Sequence, residues 1–314
     1  MNTPVLFLTF NRLDTTKLVF EEIRKAKPLK LYIASDGPRE NILGEKEIVD
    51  KVRNFIKSNI DWKCEVKFFY RDKNLGCKLA VSGAIDWFLK NEEKGIILED
   101  DCLPSQSFFR FCEELLIKYE NDERVALISG NNFNKHKIGE ADYYFSRIPH
   151  IWGWATWRRT WSKYDVNMTK FPEFKKRGKL KKIWSTRKVQ NYWLHILNET
   201  YNNKIDTWDY QLSFSLFFNN TFCICPNVNL VSNIGFNNKF TNTVIKDERV
   251  ANLLIYNLTF PIKHQVDVNY HEDNDREDNK INLKNFYLKM FFKKIALFNF
   301  IKKKYIYAMS HLRK

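Results

Sequence analysis

Gly95-Ile96-Ile97-Leu98-Glu99-Asp100-Asp101-Cys102-Leu103-Pro104 joins an apolar run to an acidic one in the first half of the chain. Three apolar residues run directly into three carboxylates, and a proline closes the run. Ile96 to Leu98 is short, β-branched and opened by glycine, which suits a buried strand of a parallel sheet. Ser105 and the apolar periodicity of Phe108, Phe109, Phe111, Leu115 and Leu116 predict the helix that follows. The carboxylates therefore fall at the carboxyl end of a strand, where open α/β sheets place their ligands. Adjacent negative charges repel unless something positive sits among them, and a hard divalent cation is the usual solution. The competing reading is a solvated acidic turn.

The residues before this stretch repeat one pattern. Pro4 to Phe10 is an apolar strand, and Asn11-Arg12-Leu13-Asp14 opens a helix through Leu18, Val19, Glu22 and Ile23, with Asp14 as its expected cap. Leu29 to Ala34 is a strand ending in the turn Ser35-Asp36-Gly37-Pro38. Val49 to Ile56 fits a helix and Glu65 to Tyr70 a third strand. Asn74-Leu75-Gly76 introduces a helix through Leu79, Ala80, Ala84, Ile85 and Phe88. Alternating strands and helices predict a mostly parallel, doubly wound sheet. In such a sheet Thr9, Asn11 and Arg12, then Asp36, then Arg71 and Asn74, then Asp100 and Asp101 converge on one crevice. Asn74 and Gly76 lie where backbone N–H groups at a helix start face a phosphate. Neither GxGxxG nor GxxxxGK[ST] occurs, so no dinucleotide fingerprint or P-loop is present.

Composition narrows the class. A chain of 314 residues with 44% hydrophobic and 16% aromatic content buries a substantial core and is not globally disordered. Its net charge of +15 is concentrated at one end: residues 279–314 carry ten Lys or Arg and no Asp or Glu. That is a basic tail rather than a nucleic-acid groove. The six cysteines show neither zinc spacing nor a compact disulfide framework, and read as buried thiols of a reducing compartment. Met1-Asn2-Thr3-Pro4 leads straight into a strand without a signal-peptide pattern, and no apolar run approaches the ~20 residues of a spanning helix.

Pro4-Val5-Leu6-Phe7-Leu8-Thr9-Phe10-Asn11-Arg12, Ser35-Asp36-Gly37, Asn74-Leu75-Gly76 and Leu98-Glu99-Asp100-Asp101-Cys102 together resemble the nucleotide-binding half of GT-A glycosyltransferases. The likeness is to bacterial family-2-like transferases and, more distantly, to the N-acetylglucosaminyltransferase I group, and it covers roughly residues 4 to 240. The resemblance implies a GT-A fold. It also implies that Asp36 contacts the base, that Asp101 binds Mn²⁺ or Mg²⁺, and that Glu99 and Asp100 face the sugar or ribose.

The second half is expected to hold the acceptor side. Val125 to Gly130 is another strand, followed by Ile151-Trp152-Gly153-Trp154-Ala155-Thr156-Trp157-Arg158-Arg159-Thr160-Trp161. Trp154, Trp157 and Trp161 recur at helical spacing and predict a buried helix face. Trp152-Gly153 is read as a close backbone approach to a ligand beside an indole, and the resemblance puts this pair at the donor sugar. Arg158 and Arg159 read as solvated, Phe171 to Trp184 as a basic, irregular connector, and Val189 to Tyr201 and Tyr210 to Phe218 as helices. Asp209 follows Trp208 at a helix start, where it serves as an N-cap. Inverting transfer also needs one carboxylate to take the acceptor hydroxyl proton, and the resemblance assigns that role to Asp209. Phe222 to Val231 reads as two short strands joined at Pro226. Related sequences carry a Thr-His-Thr-like segment beyond an Asn-x-Gly-Phe motif. Thr241-Asn242-Thr243 stands here instead, so no histidine supports the metal.

His271 to Asp278 is acidic without an apolar anchor and reads as a linker. Beyond it Leu288, Phe291, Ile295, Phe298, Ile301, Tyr305 and Leu312 alternate with lysines in a basic amphipathic helix. That helix suits an anionic membrane surface, or packing on the catalytic domain or in a homodimer. The expected organisation is a catalytic domain over 1–265 (nucleotide half 1–103, acceptor half 104–265), a linker over 266–282 and the helix over 283–314. The expected function is metal-dependent inverting transfer from a nucleotide-diphosphate sugar, such as a UDP-sugar, to a glycan or lipid-linked acceptor of a bacterial surface polysaccharide. The expected location is the inner face of the plasma membrane. The rivals are a sugar nucleotidyltransferase, which needs a Gly-rich loop where Thr9-Phe10-Asn11-Arg12 stands, and a non-enzymatic basic membrane-binding protein.

Overall fold

The computed structural model describes residues 1–237, 252–284 and 286–288. The first half alternates as the sequence predicts: β1 (Val5–Thr9), α1 (Leu13–Ala26), β2 (Lys30–Ser35), α2 (Glu45–Asn59), β3 (Glu65–Tyr70), α3 (Gly76–Asn91) and β4 (Lys94–Glu99). The second half adds β5 (Cys102–Pro104), α4 (Gln106–Lys118), β6 (Val125–Ser129), β7 (Tyr143–Ser146), β8 (Trp154–Trp157) and α5 (Arg158–Trp161). It continues with α6 (Phe171–Lys176), α7 (Leu180–Ile183), α8 (Arg187–Tyr201), α9 (Asp209–Asn219), β9 (Phe222–Pro226) and β10 (Val231–Asn233).

One eight-stranded sheet runs in the order β3-β2-β1-β4-β8-β6-β9-β7. β3, β2, β1 and β4 are parallel, so the α/β class stands as expected. β8 is antiparallel to both β4 and β6, and β7 is antiparallel to β9. Consecutive strand residues alternate between two cores. Val5 and Phe7 pack with α1, α2 and α4 on one face, while Leu6 and Leu8 pack with α3, Trp208 and α9 on the other. Covering both faces is what makes these strands continuously apolar. Ser105 caps α4, its Oγ accepting from the Phe108 N–H at 3.3 Å. Asp14 caps nothing; α1 starts at Leu13, and Asp14 lies exposed in its first turn, where a carboxylate still complements the helix dipole.

Three other expectations are corrected. Trp154 and Trp157 belong to a strand, because an odd spacing in a period-two element sends them to opposite cores, Trp154 to one and Trp157 to the other. The supposed connector holds α6 and α7, whose Phe171, Phe174, Leu180, Ile183 and Trp184 form a third core with α8 and α9 while the lysines between them face solvent. The acidic stretch after His271 is not a loose linker: Asp275 is 0% and Asp278 4% exposed. The helical pattern over 283–314 lies for the most part outside the described residues, as does Thr241-Asn242-Thr243. Among the described residues no helix is long and apolar enough to cross a membrane, and all six cysteines are free thiols.

The register sets the edge at which the predicted site residues gather. Thr9 pairs with Ser35, Ser35 with Tyr70, and Leu8 with Glu99, so these strands end level with one another. Because β8 is antiparallel, it begins at that same edge, and Ile97 pairs with Trp154. Trp152-Gly153 therefore emerges beside the acidic triplet. Behind it the Gly130 N–H donates to the Gly153 carbonyl at 2.8 Å, and both glycines press against Val231 of β10. A Cβ at Gly130 would collide with the Val231 side chain and lie 2.8 Å from the Gly153 oxygen. Gly130→Ala is therefore expected to cost about 1–3 kcal/mol, as overpacking does, read as a lower urea midpoint with an unchanged denaturant slope. A wild-type midpoint would contradict this account of the close approach.

Candidate active site

Four strand-end loops meet at this edge. Arg12 follows β1 and reaches across to the acidic triplet, its Nη1 lying 2.5 Å from Asp101 Oδ2 and 3.9 Å from Asp100 Oδ1. Asp100 is turned toward β1 and accepts the Phe10 N–H at 3.0 Å. Asp101 is covered from the other side by the turn after β10. The Ile234 N–H donates to the Asp101 carbonyl at 2.8 Å, and Gly235 lies so close that a Cβ there would strike Asp101 Oδ2 and sit 3.0 Å from Arg12 Nη1. Any larger residue there would force the Asp101 carboxylate to shift. Nothing in the local sequence Asn233-Ile234-Gly235-Phe236 announces this contact, which depends on the pairing of β10 with β5.

The other predicted residues divide between the crevice and its supports. Asp36 accepts the Leu75 N–H at 3.1 Å and the Gly37 N–H at 2.9 Å, and Asn74 Nδ2 donates to the Gly37 carbonyl at 2.9 Å. The Gly76 N–H is taken by Asn74 Oδ1 at 3.2 Å. These groups latch the loops after β2 and β3 together, so the helix-start N–H groups of Leu75 and Gly76 have partners within the chain. Arg71 donates to the Ala80 carbonyl at 3.0 Å, stacks over Phe69, and lies within electrostatic reach of Asp36. Thr9 is buried, its hydroxyl donating to the Ala34 carbonyl at 3.3 Å, so it staples β1 to β2 rather than facing the crevice. Asn11 donates to Glu45 at 2.8 Å, and Glu45, 2% exposed, is clamped by Arg39. Neither Glu45 nor Arg39 was legible as a site support, because each looks like an ordinary surface charge in sequence.

Further groups come from the second half. Asp209 opens α9 and accepts from Thr207 Oγ1 and from the Tyr210 N–H at 2.9 Å; the N-cap position itself is Trp208. Burial pushes its carboxyl up, against those two hydrogen bonds. Asp206 also leans over α3, its Oδ2 being 3.2 Å from where a Cβ on Gly76 would lie. Between these groups sits Cys77, whose thiol is pushed up by burial and then by Glu99, Asp209, Asp206 and Asp36. Asp209 and Glu99 thus both lie within electrostatic reach of this one thiol. Trp152 stands at the far end between Phe133 and Phe236, with ring centroids 5.5 Å and 5.6 Å away. The space freed at Gly153 is filled by Val231 and Leu98 rather than left for a ligand, which corrects the reading of that glycine. Arg158 and Arg159 are likewise not simply solvated. Arg158 pairs with Glu93, while Arg159 donates to the carbonyls of Tyr119, Glu120, Asp122 and Val125, along the turn from α4 into β6.

The triplet carries more negative charge than Arg12 balances. Glu99 is pushed up to about 8 by burial first and then by Asp101, Asp100 and Asp209. Asp100 is pushed up to about 7 by burial and by Asp101, with Arg12 opposing. An excess of carboxylate oxygen in a half-buried setting fits a hard divalent cation. Among the described residues no three His, Cys, Asp or Glu side chains converge as a complete ligand set. An ion held there would need oxygens from a ligand beside Asp101.

No protein-family model and no curated protein sequence matches this chain. Among solved structures it is similar to the mannosyltransferase PcManGT of Pyrobaculum calidifontis, in complex with GDP-Man and Mn²⁺, at 12% identity and TM-score 0.33 over 51% of this chain. It spans less than half of that protein, 46% of its length. It is also similar to mouse xyloside xylosyltransferase 1, at 12% identity and TM-score 0.35 over 69% of this chain and 81% of the other. A UDP-glucose pyrophosphorylase aligns at 12% identity and TM-score 0.37 over 74% of this chain and 93% of its own.

The raised carboxyls give a pH dependence with a definite sign. Glu99 and Asp100 hold protons in the folded chain at pH values where their unfolded counterparts, near 4, have lost them. Their contribution to stability is full below about pH 4 and is lost as pH rises through about 7 to 8. The thermal midpoint of the ligand-free protein is expected to fall between about pH 5 and pH 8.5, and Glu99→Gln to flatten that fall. An identical slope in Glu99→Gln would show that the triplet is not under this repulsion.

Proposed function

We propose that the protein is a metal-dependent inverting glycosyltransferase that moves a sugar from a nucleotide-diphosphate sugar, of which a UDP-sugar is the best fit, to a hydroxyl of a glycan or lipid-linked acceptor. The observation that carries this reading is the placement of the Glu99-Asp100-Asp101 triplet, paired with Arg12, at the carboxyl ends of parallel strands, with Asp209 within electrostatic reach of Glu99.

Each residue has a role in this reading. The latched loops around Asp36, Arg71 and Asn74 frame the nucleoside side. Arg12, already balancing the triplet, receives the negative charge of the diphosphate. When bound, a Mn²⁺ or Mg²⁺ held by Asp101 and by phosphate oxygens supplies charge stabilisation for the departing diphosphate. Trp152 offers an apolar face with an N–H to the sugar. Asp209 takes the proton of the acceptor hydroxyl as that oxygen bonds to the anomeric carbon and the bond to the diphosphate oxygen breaks. Attack opposite the leaving group inverts the centre. Burial keeps Asp209 a stronger base than a solvated carboxylate, and the Thr207 hydroxyl and Tyr210 N–H hold it in place.

Membrane association belongs to this proposal. The basic amphipathic pattern over 283–314 suits the anionic inner face of a bacterial plasma membrane, where a lipid-linked acceptor of polysaccharide synthesis would be presented.

Asp101→Ala is expected to abolish turnover with donor and Mn²⁺. Asp209→Asn is expected to lose about 10²–10⁴-fold in transfer, the range for a general base, while binding nucleotide as the wild type does. Both are read by release of the nucleoside diphosphate and by calorimetric titration of nucleotide. Full activity in Asp101→Ala would sink the metal assignment, and full transfer in Asp209→Asn would place the base elsewhere.

A further inference from the structure

We infer that the acidic segment 272–279 is an internal strut for the sugar side of the crevice, with Asp278 and His150 as positioning residues that act through Phe133 on Trp152. The inference rests on the reading of Trp152 as the sugar-facing wall, and adds to it a determinant of donor-sugar binding far from the triplet in sequence.

The segment is built into the fold. Asp275 accepts from Ser146 Oγ at 2.6 Å, from the Arg147 N–H at 3.1 Å and from Tyr270 Oη at 2.8 Å. Asn274 Nδ2 donates to the Phe145 carbonyl at 2.9 Å. These bonds fix the segment against β7 and the turn that leaves it. One turn further on, Asp278 meets His150 at 3.4 Å, both almost fully buried. Burial opposes a charged imidazole there, but Asp278 and Cys225 outweigh it and raise His150 well above its usual value. Tyr144 and Asp275 lie in the same polar cluster. A buried ion pair contributes little net stability, yet it specifies position, because removing one partner strands the other.

His150 stands two residues before Trp152, and its backbone N–H is tied to Ser129 Oγ at 3.3 Å at the end of β6. Its ring meets Phe133 edge-on at 4.7 Å, Phe133 meets Trp152 edge-on at 5.5 Å, and Trp152 meets Phe236 at 5.6 Å. Edge-to-face contacts of this kind fix ring orientation as well as distance. Phe236 adjoins Gly235, which lies against Asp101. A continuous set of contacts thus runs from Asp278 to the indole and on to the acidic triplet. The nucleoside-side loops around Asp36 and Asn74 belong to the first half of the chain and are latched to each other.

The test is a double-mutant cycle on binding. Titrate UDP, and whichever of UDP-glucose, UDP-galactose and UDP-N-acetylglucosamine binds most tightly, with Mn²⁺ into full-length wild type, Asp278→Asn, Trp152→Ala and the double variant. Asp278→Asn is expected to weaken the UDP-sugar about tenfold while UDP changes less than about twofold, and to add nothing in the Trp152→Ala background. Tyr270→Phe, which removes one donor from Asp275 and leaves the ion pair, gives a smaller loss of the same kind and stands in if Asp278→Asn fails to fold. Equal losses for UDP and the UDP-sugar, or losses that multiply in the double variant, would overturn the inference and leave the segment a purely structural element. Wild type that binds UDP but shows no added affinity for any UDP-sugar would overturn it too. Wild type that binds neither would overturn the proposed function, and this inference with it.

Discussion

The structure depends on one electrostatic constraint: three consecutive carboxylates placed at the end of a buried strand, with the Arg12 guanidinium brought against them. Glu99, Asp100 and Asp101 cannot all ionise in a half-buried setting without a counter-charge. Arg12 supplies part of it, from a loop that follows the neighbouring strand. That pairing ties β1 to β4 at their carboxyl ends, and the close approach of Gly235 seals it from the side of β10. What Arg12 leaves unbalanced shows as the raised Glu99 and Asp100 carboxyls. Binding a cation together with a diphosphate would relieve that imbalance. The same charges that destabilise the ligand-free crevice are those that would bind.

Sheet topology turns this local constraint into a site drawn from both halves of the chain. Parallel strands deliver Arg12, Asp36, Asn74 and the triplet to one edge, as the register of Thr9, Ser35 and Tyr70 requires. An antiparallel strand, β8, starts where the parallel ones end, and so adds Trp152 to the same rim. The start of α9, packed on the face that α3 also covers, brings Asp209 within electrostatic reach of Glu99. Cys77 lies within electrostatic reach of both.

Much of this was legible in the sequence, for physical reasons that differ by element. β1, β2, β3 and β4 were readable because strands buried on both faces are continuously apolar, and α3 and α4 because their apolar residues recur at helical spacing. The crevice followed from the carboxyl-end rule once the strands were placed. β8 was not readable, since tryptophans at 154, 157 and 161 fit a helical period, and only long-range pairing to Gly95 and Leu127 decides for a strand. The burial of 274–279 was invisible for a similar reason. Acidic residues with no local apolar anchor look solvated, and their partners Ser146, Arg147 and His150 lie more than a hundred residues away. Thr9 had the position of a ligand contact but is spent on Ala34, a hydrogen bond that no sequence pattern announces.

Binding of a nucleoside diphosphate together with a divalent ion at the acidic triplet is measured by thermal shift. Nucleotides and nucleotide sugars are each added to the full-length protein with and without Mn²⁺. UDP and at least one UDP-sugar are expected to raise the melting temperature with Mn²⁺ present, and the shift to collapse when Mn²⁺ is withheld or when Asp101 is replaced by Ala. Unchanged melting across the whole nucleotide panel with Mn²⁺, or a shift that survives both the removal of metal and Asp101→Ala, would contradict this joint binding.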